Sequence, residues 1–275
     1  MVADFCGRWR RRVLLSIGLM GTAFAALPVR ADCSRVLQVP VAPIGMSVIV
    51  GAEGVSGVYP DALRAVPGCS FVFTAVPRAR LEALFESGRA DVLMPASRTA
   101  RRDDIGFFVP LVYSRATLIS LNAERAALRS LQELRERREL RVALVRGFDY
   151  GAAYQDLLKD LRTQGRLALE VDAVSVARMI NAGLADLTIM APSIFIGALH
   201  ADARVKPMLE RLRYEPVEEL PWSDSGIYIS KRAVSEADRE LLREALDRAA
   251  RSGAIWRAFQ RYYPPGSLTD SIRPR

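Results

Sequence analysis

The sequence predicts an α/β protein of two similar lobes, each a mostly parallel sheet flanked by helices, with the chain crossing between the lobes twice. Short apolar strands alternate with helical patterns in the order β-α-β-α-β, and this order occurs twice. The two units share a near-repeat, since "FESGRADVLMPAS" (residues 85–97) parallels "INAGLADLTIMAPS" (residues 180–193). Further strand and helix patterns follow the second unit, which predicts that the chain returns to the first lobe.

Three strands and two helices make up the first predicted unit. In chain order they are the strand "RVLQVPV" (35–41), the helix "YPDALRAV" (59–66), the strand "FVFTAV" (71–76), the helix "ARLEALFESG" (79–88) and the strand "ADVLMPA" (90–96). Gly88 is a typical stop signal, because glycine adopts the left-handed backbone after a helix at little cost. Strands that alternate with helices in this way are expected to pair in parallel.

The second predicted unit repeats this order after the polar helix "SLQELRERREL" (130–140). Its elements are the strands "RVALVRG" (141–147), "LALEVDA" (167–173) and "DLTIMAP" (186–192) and the helices "DYGAAYQDLLKDLRTQG" (149–165) and "SVARMINAGLA" (175–185). The segment that is predicted to return to the first lobe contains a strand, "GIYISKR" (226–232), and one or two amphipathic helices over 236–263.

These patterns predict how the chain is divided. We expect lobe 1 to comprise residues 32–114 and 221–275, and lobe 2 to comprise residues 115–220. The crossings should lie near Tyr113–Thr117 and Pro221–Ser225. Two crossings without a linker domain form a hinge, so the cleft between the lobes is the expected ligand site.

Residues 1–31 have the three parts of a secretory signal peptide. Arg8 and Arg10–Arg12 are basic, residues 13–28 are apolar, and Val29 and Ala31 occupy the small-residue positions of a cleavage site. The apolar run is shorter than the roughly 20 residues that span a bilayer, which favours cleavage over anchoring. "RRRVLL" is only a weak twin-arginine match, so Sec export is expected.

Removing that leader also changes the charge balance. The chain has 39 basic and 31 acidic residues, and the leader holds five arginines and one aspartate. The remaining 34 basic and 30 acidic residues give a net charge of +4. This mild excess, without a basic face or stacking aromatics, gives no reason to expect nucleic-acid binding.

Cysteine usage agrees with export. Cys33 and Cys69 remain after the leader, and each precedes a predicted strand. If those strands are parallel neighbours, both cysteines lie at the same end of the sheet. A disulfide that closes a loop of about 36 residues would contribute roughly 3–4 kcal/mol in the chain-entropy model. Two buried free thiols are the alternative, and an oxidising compartment favours the bridge.

Five segments resemble one family in the right order. They are "GVYPDAL" (57–63), "LFESGRADVLMPASRT" (84–99), "VALVRG" (142–147), "INAGLADLTIM" (180–190) and "REALDRAARSGAIWRAFQRYY" (243–263). Together they resemble the periplasmic solute-binding proteins of the polar-amino-acid type (bacterial extracellular solute-binding protein family 3), which feed ABC importers. The resemblance implies the two-lobed Venus-flytrap fold, a periplasmic location, a monomer that binds a small molecule, an ABC permease as partner, and no cofactor.

The resemblance also assigns a role to Arg102. "SRTARR" matches the family's Ser-x-Thr-x-x-Arg pattern through Ser97, Thr99 and Arg102. In the family this arginine binds the ligand's α-carboxylate, and a planar fork of N–H donors suits that group on chemical grounds alone. The alternative is that Arg102 pairs with Asp103, Asp104 or another acid on the surface.

Departures from the family pattern bear on the ligand. The position that usually holds an aspartate for the ligand's ammonium group is Ala191 here. Asp149, in the glycine turn "RGFDYG", would either add a carboxylate to the cleft or cap the following helix. The arginine-rich cleft and the missing aspartate favour an anionic or carboxylate-bearing solute, with an amino acid still open.

The remaining cleft residues follow from the same resemblance. Val41 and Ile44, in "VAPIG", stand where family members often have an aromatic residue that stacks on the ligand after the first strand. Phe148 and Tyr150 are expected to supply the apolar walls instead, and Ala96, next to Ser97, is a further expected ligand-binding residue. Arg78 replaces a family aromatic, so it either faces the cleft or extends along its rim.

The expected function is a solute-binding receptor and not an enzyme. A ligand-sensing subunit for a membrane partner is one alternative. A dehydratase-like enzyme on the same scaffold is the other, and only Asp149 or Asp224 would be available as its general acid or base. His200 is the single histidine and no metal-ligand cluster is visible, so we expect no metal site.

Overall fold

A computed structural model describes residues 32–121 and 124–275, which all belong to one compact unit. The predicted signal peptide, residues 1–31, lies outside the described residues. The strands are β1 Leu37–Val41, β2 Ile49–Gly51, β3 Gly54–Ser56, β4 Phe71–Ala75, β5 Val92–Ser97, β6 Gly106–Ser114, β7 Thr117–Leu121, β8 Val142–Val145, β9 Leu167–Glu170, β10 Leu187–Met190, β11 Leu212–Glu215, β12 Ser223–Ser230 and β13 Ile272–Pro274. The α-helices are α1 Val58–Arg64, α2 Arg78–Glu86, α3 Ala100–Ile105, α4 Leu131–Glu136, α5 Ala152–Thr163, α6 Ala173–Asn181, α7 Pro192–Ala201, α8 Glu236–Arg251 and α9 Ala254–Tyr262.

The two predicted units form two separate sheet systems, which we call lobe 1 and lobe 2. Lobe 1 has the parallel pair β1–β4 beside a four-stranded sheet of order β13-β6-β12-β5. Lobe 2 has a five-stranded sheet of order β11-β7-β10-β8-β9. The predicted fold class, two α/β lobes with two crossings, is confirmed.

The strands of the near-repeat are arranged alike in both lobes. In lobe 2, β8 pairs in parallel with β9 and β10. In lobe 1, β1 pairs in parallel with β4, and the N–H of Asp91, just before β5, donates to the carbonyl oxygen of Gln38 in β1 at 2.9 Å. The first strand of each unit therefore lies between the second and the third.

The aspartate of each near-repeat, just before the third strand of its unit, accepts a backbone hydrogen bond from a residue at the first strand. Asp91 accepts the N–H of Gln38 at 2.6 Å and pairs with both terminal nitrogens of Arg35 at 2.6 and 2.7 Å. Asp186 accepts the N–H of Arg141 at 2.7 Å and pairs with the Arg141 guanidinium. The repeated aspartate therefore has the same structural role in both lobes.

The strands that the sequence patterns missed pair antiparallel and join the lobes. β6 lies between β12 and β13, and β7 lies between β10 and β11. The chain passes from lobe 1 to lobe 2 between Ser114 and Thr117, and it returns between Glu215 and Ser223. The exact division at residues 114/115 and 220/221 stays a prediction.

Each lobe has its own hydrophobic core. In lobe 1, alternate residues of β1 (Leu37, Val39 and Val41) pack with β6, β12, α8 and α9, so the return segment completes the core of the first unit. In lobe 2, Ile119 and Leu118 lie on opposite faces of the sheet and belong to different core clusters. Helices therefore cover both faces of the lobe 2 sheet.

The predicted disulfide is confirmed. Cys33 and Cys69 are bonded, with their Cα atoms 4.9 Å apart, and the N–H of Cys33 also donates to the carbonyl oxygen of Gly68 at 2.9 Å. The bridge stands before the parallel pair β1–β4, as expected from the sequence. Among residues 32–121 and 124–275, no helix is both long and apolar enough to span a membrane.

Candidate functional site

A cavity between the lobes, which we call the arginine cavity, brings together six of the eight predicted ligand-binding residues. They are Arg78, Ala96, Ser97, Arg102, Phe148 and Asp149. The first four come from α2, β5 and α3 of lobe 1, and the other two come from the turn after β8 of lobe 2. Ser114 and Ser225, next to the two crossings, complete the hinge side of the cavity.

Arg102 is buried at the lobe 1 wall, with 2% of its surface exposed. Its Nη2 donates to Glu82 Oε1 at 2.7 Å, its Nε lies 3.4 Å from Glu82 Oε2, and its Nη1 donates to the carbonyl oxygen of Ser97 at 3.0 Å. Its acidic partner is therefore the buried Glu82 of α2 and not an acid on the surface. Because a guanidinium has five N–H donors, two remain after these three contacts.

Arg78, at the start of α2, also lies inside the cleft and not along its rim. Only 5% of its surface is exposed. Its Nη2 donates to Glu82 Oε1 at 2.9 Å and its Nη1 to the carbonyl oxygen of Pro95 at 3.2 Å, while its Nε has no partner among the described residues. The guanidinium carbon lies 5.9 Å from the ring centre of Phe148, so this side chain contacts both lobes.

The lobe 1 wall therefore carries two buried guanidinium groups and one carboxylate. Burial lowers the pKa of Arg78 from its ordinary value, Glu82 partly offsets that effect, and the like charge of Arg102 adds to it. A buried charge without a counter-ion raises the free energy of the folded protein. A second carboxylate, bound between Arg78 and Arg102, would neutralise the positive charge that Glu82 leaves. This arrangement can bind an anionic group without any chemical step.

Asp149 faces the same cavity from lobe 2. Its Oδ1 accepts the N–H of Gly151 at 3.0 Å, and Gly151 itself is the N-cap residue of α5. Asp149 thus closes the turn before α5 and does not cap the helix, contrary to one of the two interpretations from sequence. Its carboxylate brings a negative charge to the wall opposite the arginines.

Apolar and aromatic side chains form the rest of the lobe 2 wall. Tyr150 lines the cavity beside Phe148, with their ring centres 6.0 Å apart. Burial raises the pKa of Tyr150 above its ordinary value, so its hydroxyl stays protonated at neutral pH. Ala191, at the N-cap of α7, also lines the cavity and brings no carboxylate.

Two predicted residues lie elsewhere. Val41 is fully buried in the core of lobe 1, because it shares a face of β1 with Leu37 and Val39. The cavity is reached instead by Ile44, three residues later. Thr99 is the N-cap residue of α3 and lines a neighbouring cavity together with Arg98.

The free space beside the arginines is small. About 50 Å³ of the arginine cavity is open to the centre of a water molecule. Since one water needs about 10–15 Å³ by this measure, the space holds a few water molecules. A larger solute therefore requires the lobes to separate, or it must extend beyond this cavity.

The other residues considered from sequence do not join the site. His200 is exposed at the end of α7. Asp224 pairs with Arg275 and does not line the arginine cavity, which leaves Asp149 as the only nominated acid or base there. Within the described part of the chain, no group of three or more His, Cys, Asp or Glu residues could hold a metal ion.

Sequence reasoning missed Glu82, which holds both arginines in place. One signal was present, because Arg78 and Glu82 are four residues apart on α2, the spacing of an ion pair on one helix face. The second partner, Arg102, is 20 residues further along the chain. No local pattern connects an acid on one helix to an arginine on another, so this contact depends on the fold.

Comparisons with known proteins give matches in structure alone. No protein-family model matches the sequence, and no curated protein matches it.

Three solved structures illustrate the similarity. A histidine kinase sensor domain with similarity to periplasmic binding proteins is 16% identical, with a TM-score of 0.66 over 87% of this chain and 98% of that one. An ancestral arginine-binding protein bound to arginine is 15% identical, with a TM-score of 0.65 over 83% and 98%. A putative L-cystine ABC transporter protein from Listeria monocytogenes is 15% identical, with a TM-score of 0.64 over 83% and 95%. The described chain therefore has the two-lobed fold of the periplasmic solute-binding proteins.

Proposed function

We propose that this protein is an exported receptor that captures a small carboxylate-bearing solute, an amino acid or another organic anion, in the cleft between its lobes. The observation that carries the proposal is the pair of buried arginines, Arg78 and Arg102, which share the single carboxylate of Glu82. No chemical step is needed, because a ligand that contacts both lobes stabilises the closed arrangement. In this proposal the closed receptor delivers its solute to an ABC importer.

The solute's carboxylate would bind the remaining N–H donors of Arg102 and Arg78. The hydroxyl groups of Ser97 and Ser225 line the same space and can donate to it. If the solute also carries an ammonium group, Asp149 is the acid that faces it, because Ala191 supplies none.

The bound solute itself tests this proposal. We expect protein purified from its native host without denaturation to release a carboxylate-bearing molecule on unfolding, detected by mass spectrometry. Arg102→Gln protein should release much less of it, whereas Arg98→Gln should not differ, since Arg98 is exposed and pairs with Asp103. Equal release from all three proteins would remove Arg102 from the site.

A ligand-sensing subunit is the second candidate, since a histidine kinase sensor domain is among the similar structures. Deletion of the gene separates the two roles. Loss of uptake of the released solute would support the importer role. Normal uptake with loss of a transcriptional response to the solute would support the sensor role.

A further inference from the structure

Of the two cavities that Arg78 lines, the larger is not the one beside Arg102. This second cavity, which we call the apolar cavity, has about 290 Å³ open to the centre of a water molecule, compared with about 50 Å³ in the arginine cavity. Arg78 and Phe148 line both cavities. The two spaces therefore adjoin each other at these two residues.

The apolar cavity lies at the carboxyl ends of four strands, two from each lobe. Its walls include Ala42 and Pro43 after β1, Val76 after β4, Val145 at the end of β8, and Val171 after β9. β1 and β4 are parallel, as are β8 and β9, so these ends face the cleft together. The space beyond the carboxyl ends of parallel strands is where α/β proteins place their ligands.

The chemistry of this second cavity differs from that of the first. Eight of its ten lining residues are alanine, valine, proline or phenylalanine. The two charged residues are Arg78 and Asp172, and Asp172 Oδ1 already accepts the N–H of Ser175 at 2.7 Å as the cap of α6. Val171 is 54% exposed at the cavity, an apolar surface that a ligand would cover.

We propose that the solute is amphipathic: its carboxylate binds Arg78 and Arg102, and an alkyl or aryl body fills the apolar cavity. This inference rests on the proposed function and narrows its substrate class. Two observations support it besides the lining. Arg78 is 95% buried and its Nε has no partner among the described residues, although this side chain lines both cavities. The arginine cavity alone is also too small for more than a few water molecules.

A series of straight-chain monocarboxylates from acetate to heptanoate tests the inference by calorimetric titration of the purified protein. Each added methylene should raise the affinity about fourfold until the cavity is full, as expected for burial of one CH₂ group. The heat-capacity change of binding should become more negative along the series, because that change follows buried apolar area.

Two variants test whether the increase of affinity with chain length arises in the apolar cavity. Ala75→Trp should fill the cavity from the exposed end of β4, lowering heptanoate affinity at least tenfold while leaving acetate affinity unchanged. Val171→Asn should flatten the dependence on chain length. The matched control is Leu184→Asn, because Leu184 is similarly exposed at 58% and lines neither cavity.

The outcomes separate this inference from the proposed function. If acids bind through Arg102 but affinity does not rise with chain length, the apolar assignment is wrong and the receptor proposal stands. A rise that is the same in Ala75→Trp and Val171→Asn as in the original protein would place the apolar contact elsewhere and overturn the inference. If no acid of the series binds, this inference is overturned, whereas the receptor proposal is decided separately by whether the native protein releases a carboxylate-bearing molecule.

Discussion

Glu82 acts as an internal counter-ion where a ligand's carboxylate is proposed to bind. Its Oε1 accepts from Arg78 at 2.9 Å and from Arg102 at 2.7 Å, so it holds both guanidinium groups at the cleft wall. Glu82 and Arg78 belong to α2 and Arg102 belongs to α3, and both helices are part of lobe 1. The site is therefore ordered before a ligand arrives, which reduces the entropy cost of binding.

Replacing this acid should change stability and affinity in opposite directions. Glu82→Gln leaves two buried cations without a counter-ion, so we expect the free energy of unfolding to fall by roughly 3–5 kcal/mol. Binding of small carboxylates should tighten, because the ligand then supplies the missing charge. Denaturant unfolding and calorimetric titration measure the two effects. Glu86→Gln is the control, since Glu86 pairs with Arg101 at the surface and should change neither quantity.

Asp186 gives a prediction that depends on pH. Burial raises the pKa of this carboxyl, but the hydrogen bonds and charge of Arg141 outweigh burial and leave it below its ordinary value. A lowered carboxyl pKa stabilises the fold above the unfolded pKa of about 3.9, and that stabilisation is lost as the pH falls through the lower, folded value. Asp186→Asn should therefore cost about 1–2 kcal/mol at pH 7.

The difference between Asp186→Asn and the original protein should shrink as the pH falls below 4. Urea unfolding at pH 7 and at pH 3 measures this change. Asp156→Asn is the control, because its pair with Lys159 is exposed and should contribute little at either pH. A difference that is equal at both pH values would contradict the role given to the Asp186 carboxylate.

At the scale of elements, sequence patterns located the strands of the near-repeat but missed those that join the lobes. β6, "GFFVPLVYS", contains Pro110, and a proline within a run argues against a central strand. The structure accommodates it opposite Gly226, where the register between β12 and β6 shifts. A Cβ atom on Gly226 would lie 2.0 Å from the carbonyl oxygen of Val109, so this irregularity depends on a glycine 116 residues away.

The helical segment over residues 236–263 is a second place where the sequence pattern did not decide the structure. The amphipathic pattern over 236–263 left open whether the chain forms one helix or two. The structure forms α8 and α9 with a break at Gly253, whose φ of 71° is in the left-handed region. Glycine adopts that region at little cost, and here it ends one helix and starts the next.

The disulfide between Cys33 and Cys69 should stabilise the N-terminal part of lobe 1. Because the two residues are separated by 36 positions, the double variant Cys33→Ser, Cys69→Ser should lose roughly 3–4 kcal/mol of unfolding free energy in the chain-entropy model. Thermal unfolding of the variant and of the reduced original protein should agree. No loss in either case would show that the loop is constrained by its other contacts alone.

At the scale of the whole molecule, three chain segments meet where the lobes join. β13 pairs with the end of β6, and the guanidinium of Arg273 lies 3.9 Å from the ring centre of Trp222 in the returning crossing. The guanidinium of Arg115, in the outgoing crossing, lies 5.0 Å from the same ring, and the N–H of Arg115 donates to the carbonyl oxygen of Ser271 at 3.2 Å. β13 could not be predicted from sequence, because a pattern of three residues is too short to indicate a strand.

Gly45, between β1 and β2, and Gly197, in α7, make a close backbone contact between the two lobes. Gly197 of α7 packs against Gly45, and a Cβ atom on Gly197 would lie 2.5 Å from the Gly45 Cα. Gly197→Ala should therefore hold the lobes further apart, weaken ligand binding and enlarge the radius of gyration at saturating ligand. Small-angle X-ray scattering measures the last effect. Gly51→Ala is the control, because no atom lies within 4 Å of its Cβ position.

A thermal-unfolding screen tests directly whether Arg102 binds a carboxylate-bearing solute. It uses amino acids, straight-chain acids, aromatic acids, dicarboxylates and inorganic anions, in parallel on the original protein, Arg102→Gln and Arg98→Gln. A ligand at 100 times its Kd adds about 2.7 kcal/mol to the unfolding free energy, which raises the Tm measurably. We predict that at least one carboxylate raises the Tm of the original protein and of Arg98→Gln but not of Arg102→Gln. Stabilisation by a carboxylate that survives in Arg102→Gln, or stabilisation only by solutes without an acidic group, would show that Arg102 does not bind a carboxylate-bearing solute.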